Sequence, residues 1–94
     1  MKKIGTLALP GRSVSIDQGI YDNGRVAIAL DGGRFGKLTV NIPHAPLEAG
    51  QIFVKTWGEN EWLREAALAT GLFTDTGGHM GSGFCIAEVW KFHP

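Results

Sequence analysis

A single cysteine, Cys85, rules out an internal disulfide and any small scaffold that depends on one, and it fits a reducing compartment. No apolar run approaches the roughly 20 residues of a membrane-spanning helix. The N-terminal MKKIGTLALPG is broken by Gly5 and Thr6 and stopped at Pro10, so it reads as a first strand and not as a signal peptide. A soluble, cytoplasmic protein is the expectation. Net charge is lacking as well. Nine basic and nine acidic side chains cancel, which removes both the basic footprint of a nucleic-acid binder and the acidic surface of a nucleic-acid mimic. There is no internal repeat, low-complexity tract or linker, and 94 residues suffice for one domain, 1–94, with a modest core.

What is present is apolar surface to bury: 44% hydrophobic residues, nine of them aromatic, which argues for a folded globule. The charges are also unevenly placed. Residues 1–47 carry six basic and three acidic groups, and residues 48–94 carry three basic and six acidic ones, so a two-toned surface results if the halves do not interleave.

Residues 53–71, FVKTWGENEWLREAALATG, hold the one convincing helix signal. Asn60 has the short acceptor side chain of an N-cap, Glu61 follows in the first turn, and good helix formers continue to Ala69 for about three turns. Gly71 supplies the left-handed stop. Elsewhere the pattern is strand and turn. Residues 3–9 form a strand ended by Pro10-Gly11. In residues 12–21 Val14 and Ile16 oppose Ser13, Ser15 and Asp17. Asp22-Asn23-Gly24 predicts a type I′ hairpin turn, and Val26, Ile28 and Leu30 alternate with Ala27 and Ala29 on the returning strand. A second reversal at residues 31–36 leads into a strand over residues 37–42, and residues 51–56 resume as a strand after Pro43 and Pro46. Leu72 to Thr74, a glycine-rich loop and a last strand from about Phe84 to Phe92 complete the chain. The expected class is α+β, an antiparallel sheet of five to seven strands in a meander with one helix packed on one face.

The runs Leu38-Thr39-Val40-Asn41-Ile42-Pro43, Phe53-Val54-Lys55-Thr56-Trp57 with Glu59-Asn60-Glu61, Gly71-Leu72, Thr76-Gly77 and Ser82-Gly83-Phe84 resemble a family of small uncharacterised proteins encoded by bacterial phages and mobile genetic elements. The likeness covers roughly residues 20–90, and its motifs are structural. It implies an accessory protein of a phage or mobile element that binds and disables a host defence complex, with an anti-CRISPR inhibitor of a Cas effector as the specific expectation. Trp57-Gly58 and Trp62 depart from the shared pattern.

Catalysis has few candidates. Cys85 with His79 and Asp75 offers a nucleophile, a base and an orienting group on paper, but Cys85 shares a strand face with Ala87 and Val89 and reads as packing. His44, His79 and His93 match no zinc spacing. Glu61 and Glu65 are neighbours on an exposed helix face. Residues 77–83 are glycine-rich without the following helix that a phosphate-cradling loop needs. The expectation is therefore a non-enzyme without metal or cofactor. Recognition suits the sequence better, because Trp, Tyr and Arg are enriched among interface anchors. Arg34, Phe35 and Lys37 sit at a reversal, and Trp57, Glu59 and Trp62 at the strand-to-helix junction; these six are the expected contacts to a host protein complex. A nucleic-acid-binding module using Lys2, Lys3, Arg12, Arg25, Arg34 and Lys37, with Phe35 for stacking, is the alternative. Exposed edge strands leave a homodimer open.

Overall fold

Seven strands and one short helix follow one another along the chain. The computed structural model describes all 94 residues except the side chain of Glu59, so that candidate contact lies outside the described residues. Strands β1 (Lys2–Leu9), β2 (Arg12–Ile20), β3 (Val26–Leu30) and β4 (Gly36–Lys37) form an antiparallel meander in the order β1-β2-β3-β4. Strands β5 (Gln51–Val54), β6 (Phe73–Ser82) and β7 (Cys85–Phe92) form a second antiparallel sheet in the order β5-β7-β6. Between β5 and β6 the chain makes a 3-10 segment, Gly58–Leu63, that continues into helix α1, Arg64–Leu68. The class is α+β as expected from the sequence, with the seven strands divided between two sheets.

The main core lies between the sheets and under the helix. Leu7, Val14, Ile16, Ile28 and Leu30 from the first sheet meet Ile52, Val54, Phe73, Trp90 and Phe92 from the second, and Leu63 and Ala67 close one end. A smaller core covers the other face of the second sheet, where Phe53 and Ala87 pack with Ile42 and Ala45 from the loop before β5. Consecutive residues of β5 thus point into different cores, which is why its Ile52-Phe53-Val54 run is apolar throughout and not alternating.

Several local expectations change. The helix is shorter than three turns, and Asn60 does not cap it. Its side chain is buried and donates from Nδ2 to the backbone oxygen of Lys37 at 2.8 Å, so it ties the 3-10 segment to β4. Gly71 does adopt a positive φ of 79° just past the helix. The hairpin at Asp22-Asn23-Gly24 forms with only Gly24 in the left-handed region, φ 84°, and not with the paired positive φ values of a type I′ turn. It is a three-residue loop closed by Tyr21 N to Arg25 O at 2.8 Å and Gly24 N to Tyr21 O at 2.9 Å.

The strand expected over residues 37–42 lasts only through Lys37. Beyond it the backbone switches partners: Leu38 N still bonds Ile28 O, but Val40 N bonds Phe53 O and Lys55 N bonds Leu38 O. The apolar alternation was a true burial signal, since Leu38 and Ile42 are buried, yet these side chains enter two different cores. Thr39 makes the crossing possible. Its buried Oγ1 accepts Ile28 N at 3.0 Å and hydrogen-bonds the Tyr21 hydroxyl at 2.9 Å.

The glycine-rich stretch is strand and not loop. β6 runs through it to Ser82 and returns as β7 across Gly83-Phe84, with Gly83 at φ 63° as the first central residue of a II′ turn requires. Glycines that looked like loop signals are there for a bulge between Asp75 and Gly78. Gly77 takes φ 82°, its N–H bonds Asp75 Oδ1, and Thr76 Oγ1 donates to Val89 O. A Cβ on Gly78 would come within 3.2 Å of Val89 Cβ.

Candidate functional site

Among the described residues, two of those expected to make contacts, Phe35 and Trp62, come together on the surface beside the 3-10 segment. Phe35 follows the tight turn Asp31–Gly33, which Asp17 holds by accepting Gly32 N at 2.7 Å. Asp31 itself takes a positive φ of 52°, a conformation tolerated by Asp better than by most side chains. That turn delivers the Phe35 ring edge-on to Trp62, with centroids 6.1 Å apart and planes at 80°. The Arg12 guanidinium, from the first residue of β2, lies 5.1 Å from the Phe35 centroid. Three separate elements therefore bring Arg12, Phe35 and Trp62 together, with the phenyl ring in contact with both of the others.

Trp62 remains 56% exposed in this arrangement, although a tryptophan is among the costliest side chains to leave in water. Arg34, adjacent to Phe35 in sequence, is exposed as well. The remaining candidates sit elsewhere. Lys37 is exposed and places its ammonium 5.3 Å from the Tyr21 centroid. Trp57 is half-buried against the smaller core with Phe53 and Ile42 and does not join these three. Arg12 was weighed in the sequence only as a nucleic-acid contact; the signal that could have linked it to Phe35 is not local, because 22 intervening residues separate them (positions 13 to 34).

The six basic residues of the first half do not form one face. Lys2 pairs with Gln18 and Arg12 with Leu9, at opposite ends of the β1–β2 ladder. Arg25 is committed internally: Nη1 donates to Ile42 O at 2.7 Å, Nη2 donates to Ala45 O, and the guanidinium lies 5.7 Å from the Phe53 centroid.

Cys85, His79 and Asp75 are not assembled for nucleophilic chemistry. Cys85 pairs with Ser82 and His79 with Glu88, so the thiol and the imidazole project from opposite faces of the hairpin. Asp75 is held by Arg64 Nη2 at 2.6 Å and by Gly77 N. His93 is bonded to Thr74 Oγ1 and His44 is exposed. Among the described residues no three His, Cys, Asp or Glu side chains cluster as metal ligands, and no helix is long and apolar enough to cross a membrane. A cleft of about 240 Å³ between β3 and β5 is lined by Arg25, Leu47, Gln51, Ile52 and Phe92 and brings no nucleophile to its wall.

The densest charge cluster is structural. Arg64, at the start of α1, bonds both oxygens of Glu88 through Nε at 2.9 and 3.0 Å and reaches Glu65 and Asp75 through its two other nitrogens. It staples the helix to the second sheet. The guanidinium, with a smaller contribution from Trp90 Nε1, holds the Glu88 carboxyl below the usual carboxylate range, though burial opposes this. A folded-state value below the unfolded one means stability that is complete above the ordinary glutamate value of about 4.3 and is lost as pH falls through the lower folded value. Glu88→Gln is thus expected to destabilise the protein at pH 7 by about 1–3 kcal/mol and to have progressively less effect below about pH 4, measured by urea unfolding across pH. Equal losses at pH 7 and pH 3 would refute the role of the carboxylate charge.

Comparison with known families, with characterised proteins and with solved structures gives no match for this chain. What the fold and the site define is a small α+β protein with an exposed aromatic platform braced by an arginine.

Proposed function

We propose that the protein is a non-catalytic binding protein that docks on a partner protein through the Arg12–Phe35–Trp62 platform. The observation that carries this reading is the exposure of Trp62 at 56% while it is fixed edge-to-face on Phe35. A rigid, partly desolvated aromatic loses little conformational entropy on binding and can bury a large area, which is why such residues dominate interface energetics. Arg34 and Glu61 stand exposed next to the two rings in sequence and supply a polar rim.

The more particular reading is that the partner is a host defence complex, with a Cas effector as the leading case, and that the chain is a phage or mobile-element accessory protein. Its support is the resemblance in residues 20–90. The test uses the full chain with an affinity tag in a CRISPR-immune host. Recovery of the effector together with restored phage plating supports the proposal, and Trp62→Ala should reduce both at least tenfold, as loss of an interface anchor of about 2 kcal/mol or more does. Normal immunity with no effector recovered would reject the defence reading. A Trp62→Ala variant that binds and inhibits like the parent would reject the platform. Salt-dependent retardation of single-stranded DNA or RNA, removed by Phe35→Ala, would replace a protein partner with a nucleic acid.

A further inference from the structure

We infer that two copies of this chain pair through their β6 strands, antiparallel across a two-fold axis beside Met80, to make one six-stranded sheet from the two second sheets. β6 presents an unguarded edge. The β5 and β4 edges are covered or blunted, and the start of β1 is guarded. β5 is closed by the crossing segment through Val40 N to Phe53 O, Lys55 N to Leu38 O and the Thr39–Val54 bridge. β4 has two residues and is tied to the 3-10 segment by Asn60. β1 carries Lys2 and Lys3 and an irregularity before Gly5, where Leu72 packs so closely that a Cβ on the glycine would sit 2.9 Å from it. Natural edges are guarded by such charges, bulges and covers. β6 beyond its bulge has none of them: residues 76–84, TGGHMGSGF, contain no Lys, Arg, Asp or Glu.

The register follows from which backbone groups are free. A two-residue hairpin loop closes on a hydrogen-bonded pair, here Ser82 and Cys85, and alternation makes Met80–Ala87 and Gly78–Val89 the next such pairs. The bond from Phe92 N to Gly50 O agrees, since it turns the even residues of β7 toward β5 and the odd ones toward β6. The N–H and C=O of His79 and Gly81 therefore point outward. Two antiparallel copies satisfy all four groups of each strand at once when His79 faces the partner's Gly81 and Gly81 faces the partner's His79. Met80 then lies opposite the partner's Met80 on the axis.

Side chains fit this register. Ile86 is 61% exposed because its cross-strand neighbour is Gly81, and nothing lies within 4 Å of where a Gly81 Cβ would be. That notch receives the imidazole of the partner's His79, which covers Ile86. The same register sets the turn at Gly83-Phe84 alongside the partner's bulge at Thr76-Gly77, giving a neighbour to Phe84, the most exposed large apolar side chain. Each bulge ends the ladder, so the pairing closes as a dimer and does not propagate into a fibre.

Sedimentation velocity of the 10.1 kDa chain tests the inference. The mass should double with rising concentration. Gly81→Lys, which has open space in the monomer but fills the notch and sets a charge there, should keep the chain monomeric, with an unchanged thermal midpoint at dilutions where the parent is also monomeric. In a Cys85→Ser background, Met80→Cys should oxidise to a covalent dimer, because directly opposite residues of a non-hydrogen-bonded pair lie about 4.5 Å apart at Cα; Thr74→Cys, beyond the bulge, should not. A parent that stays monomeric up to about 1 mM, a weak-association limit near 4 kcal/mol, would overturn the proposal. So would a Gly81→Lys chain that dimerises like the parent, or crosslinking through Thr74→Cys as fast as through Met80→Cys.

Discussion

Trp90→Ala should cost about 3–5 kcal/mol, the range for deleting a large buried aromatic, and lower the thermal midpoint by more than about 12 °C for a chain of this size. Trp90 is wholly buried on the central strand of the second sheet, where it faces the first sheet across the main core. Its ring centroid lies 5.7 Å from that of Phe73, which stacks in turn on Phe92 at 5.6 Å. Its Nε1 donates to Glu88 Oε1 at 3.1 Å, so one residue joins the aromatic core to the Arg64 ion pair. Truncation leaves a cavity that two sheets and a helix cannot close without breaking strand pairing. Since domains have only about 5–15 kcal/mol of total stability, Trp90→Ala could fail to fold, and Trp90→Phe then serves as the graded variant with a smaller loss. Urea unfolding by circular dichroism reads both. A Trp90→Ala protein melting within about 4 °C of the parent would show that the two sheets do not depend on this contact.

Arg25→Ala should destabilise by about 2–4 kcal/mol, because hydrogen bonds to a charged group contribute about 1.5–3 kcal/mol each and two carbonyl oxygens lose their donor. The two acceptors, Ile42 O and Ala45 O, belong to the loop that carries Ile42 and Ala45 onto Phe53. Losing the guanidinium therefore loosens the lid over the smaller core while the core between the sheets keeps its contacts. Arg25→Lys should recover less than half of the loss, since one ammonium cannot reproduce a planar fork aimed at two carbonyls or its stacking on Phe53. Hydrogen exchange localises the effect: the Ala45 amide, bonded to Ile42 O at 3.0 Å, should lose protection well before the amides of β2 and β3. Uniform loss of protection, or full rescue by lysine, would contradict this account.

The role of Arg25 also shows how far a sequence reading reaches. As a cation in a basic half it invited a ligand-binding interpretation, and nothing within a few residues reveals that its partners lie 17 and 20 positions away. Asn60 is similar. A short polar side chain before a helical run has the chemistry of a cap, but the buried acceptor it meets is Lys37 O from another element. Phe35 and Trp62 were both legible as unusual aromatics, because each stands beside a turn or junction where apolar burial is not implied. Their contact with each other, and with Arg12, was not legible.

Local chemistry determined the class. Period-two apolar alternation in residues 12–16 and 26–30, turn residues at Pro10-Gly11 and at Gly24, and one stretch of helix formers sufficed for an antiparallel α+β domain, because strand pairing and helix formation are biased by neighbours in sequence. Tertiary structure decided the division into two sheets, the crossing at residues 38–40 and the strand made from the glycine-rich residues 77–81, since each depends on which distant backbone satisfies a given N–H or C=O. It also decided the surface. The Arg12–Phe35–Trp62 platform and the bare β6 edge exist only once a strand, a turn, the 3-10 segment and two sheets are in place, as exposure is what remains after every other group has been buried.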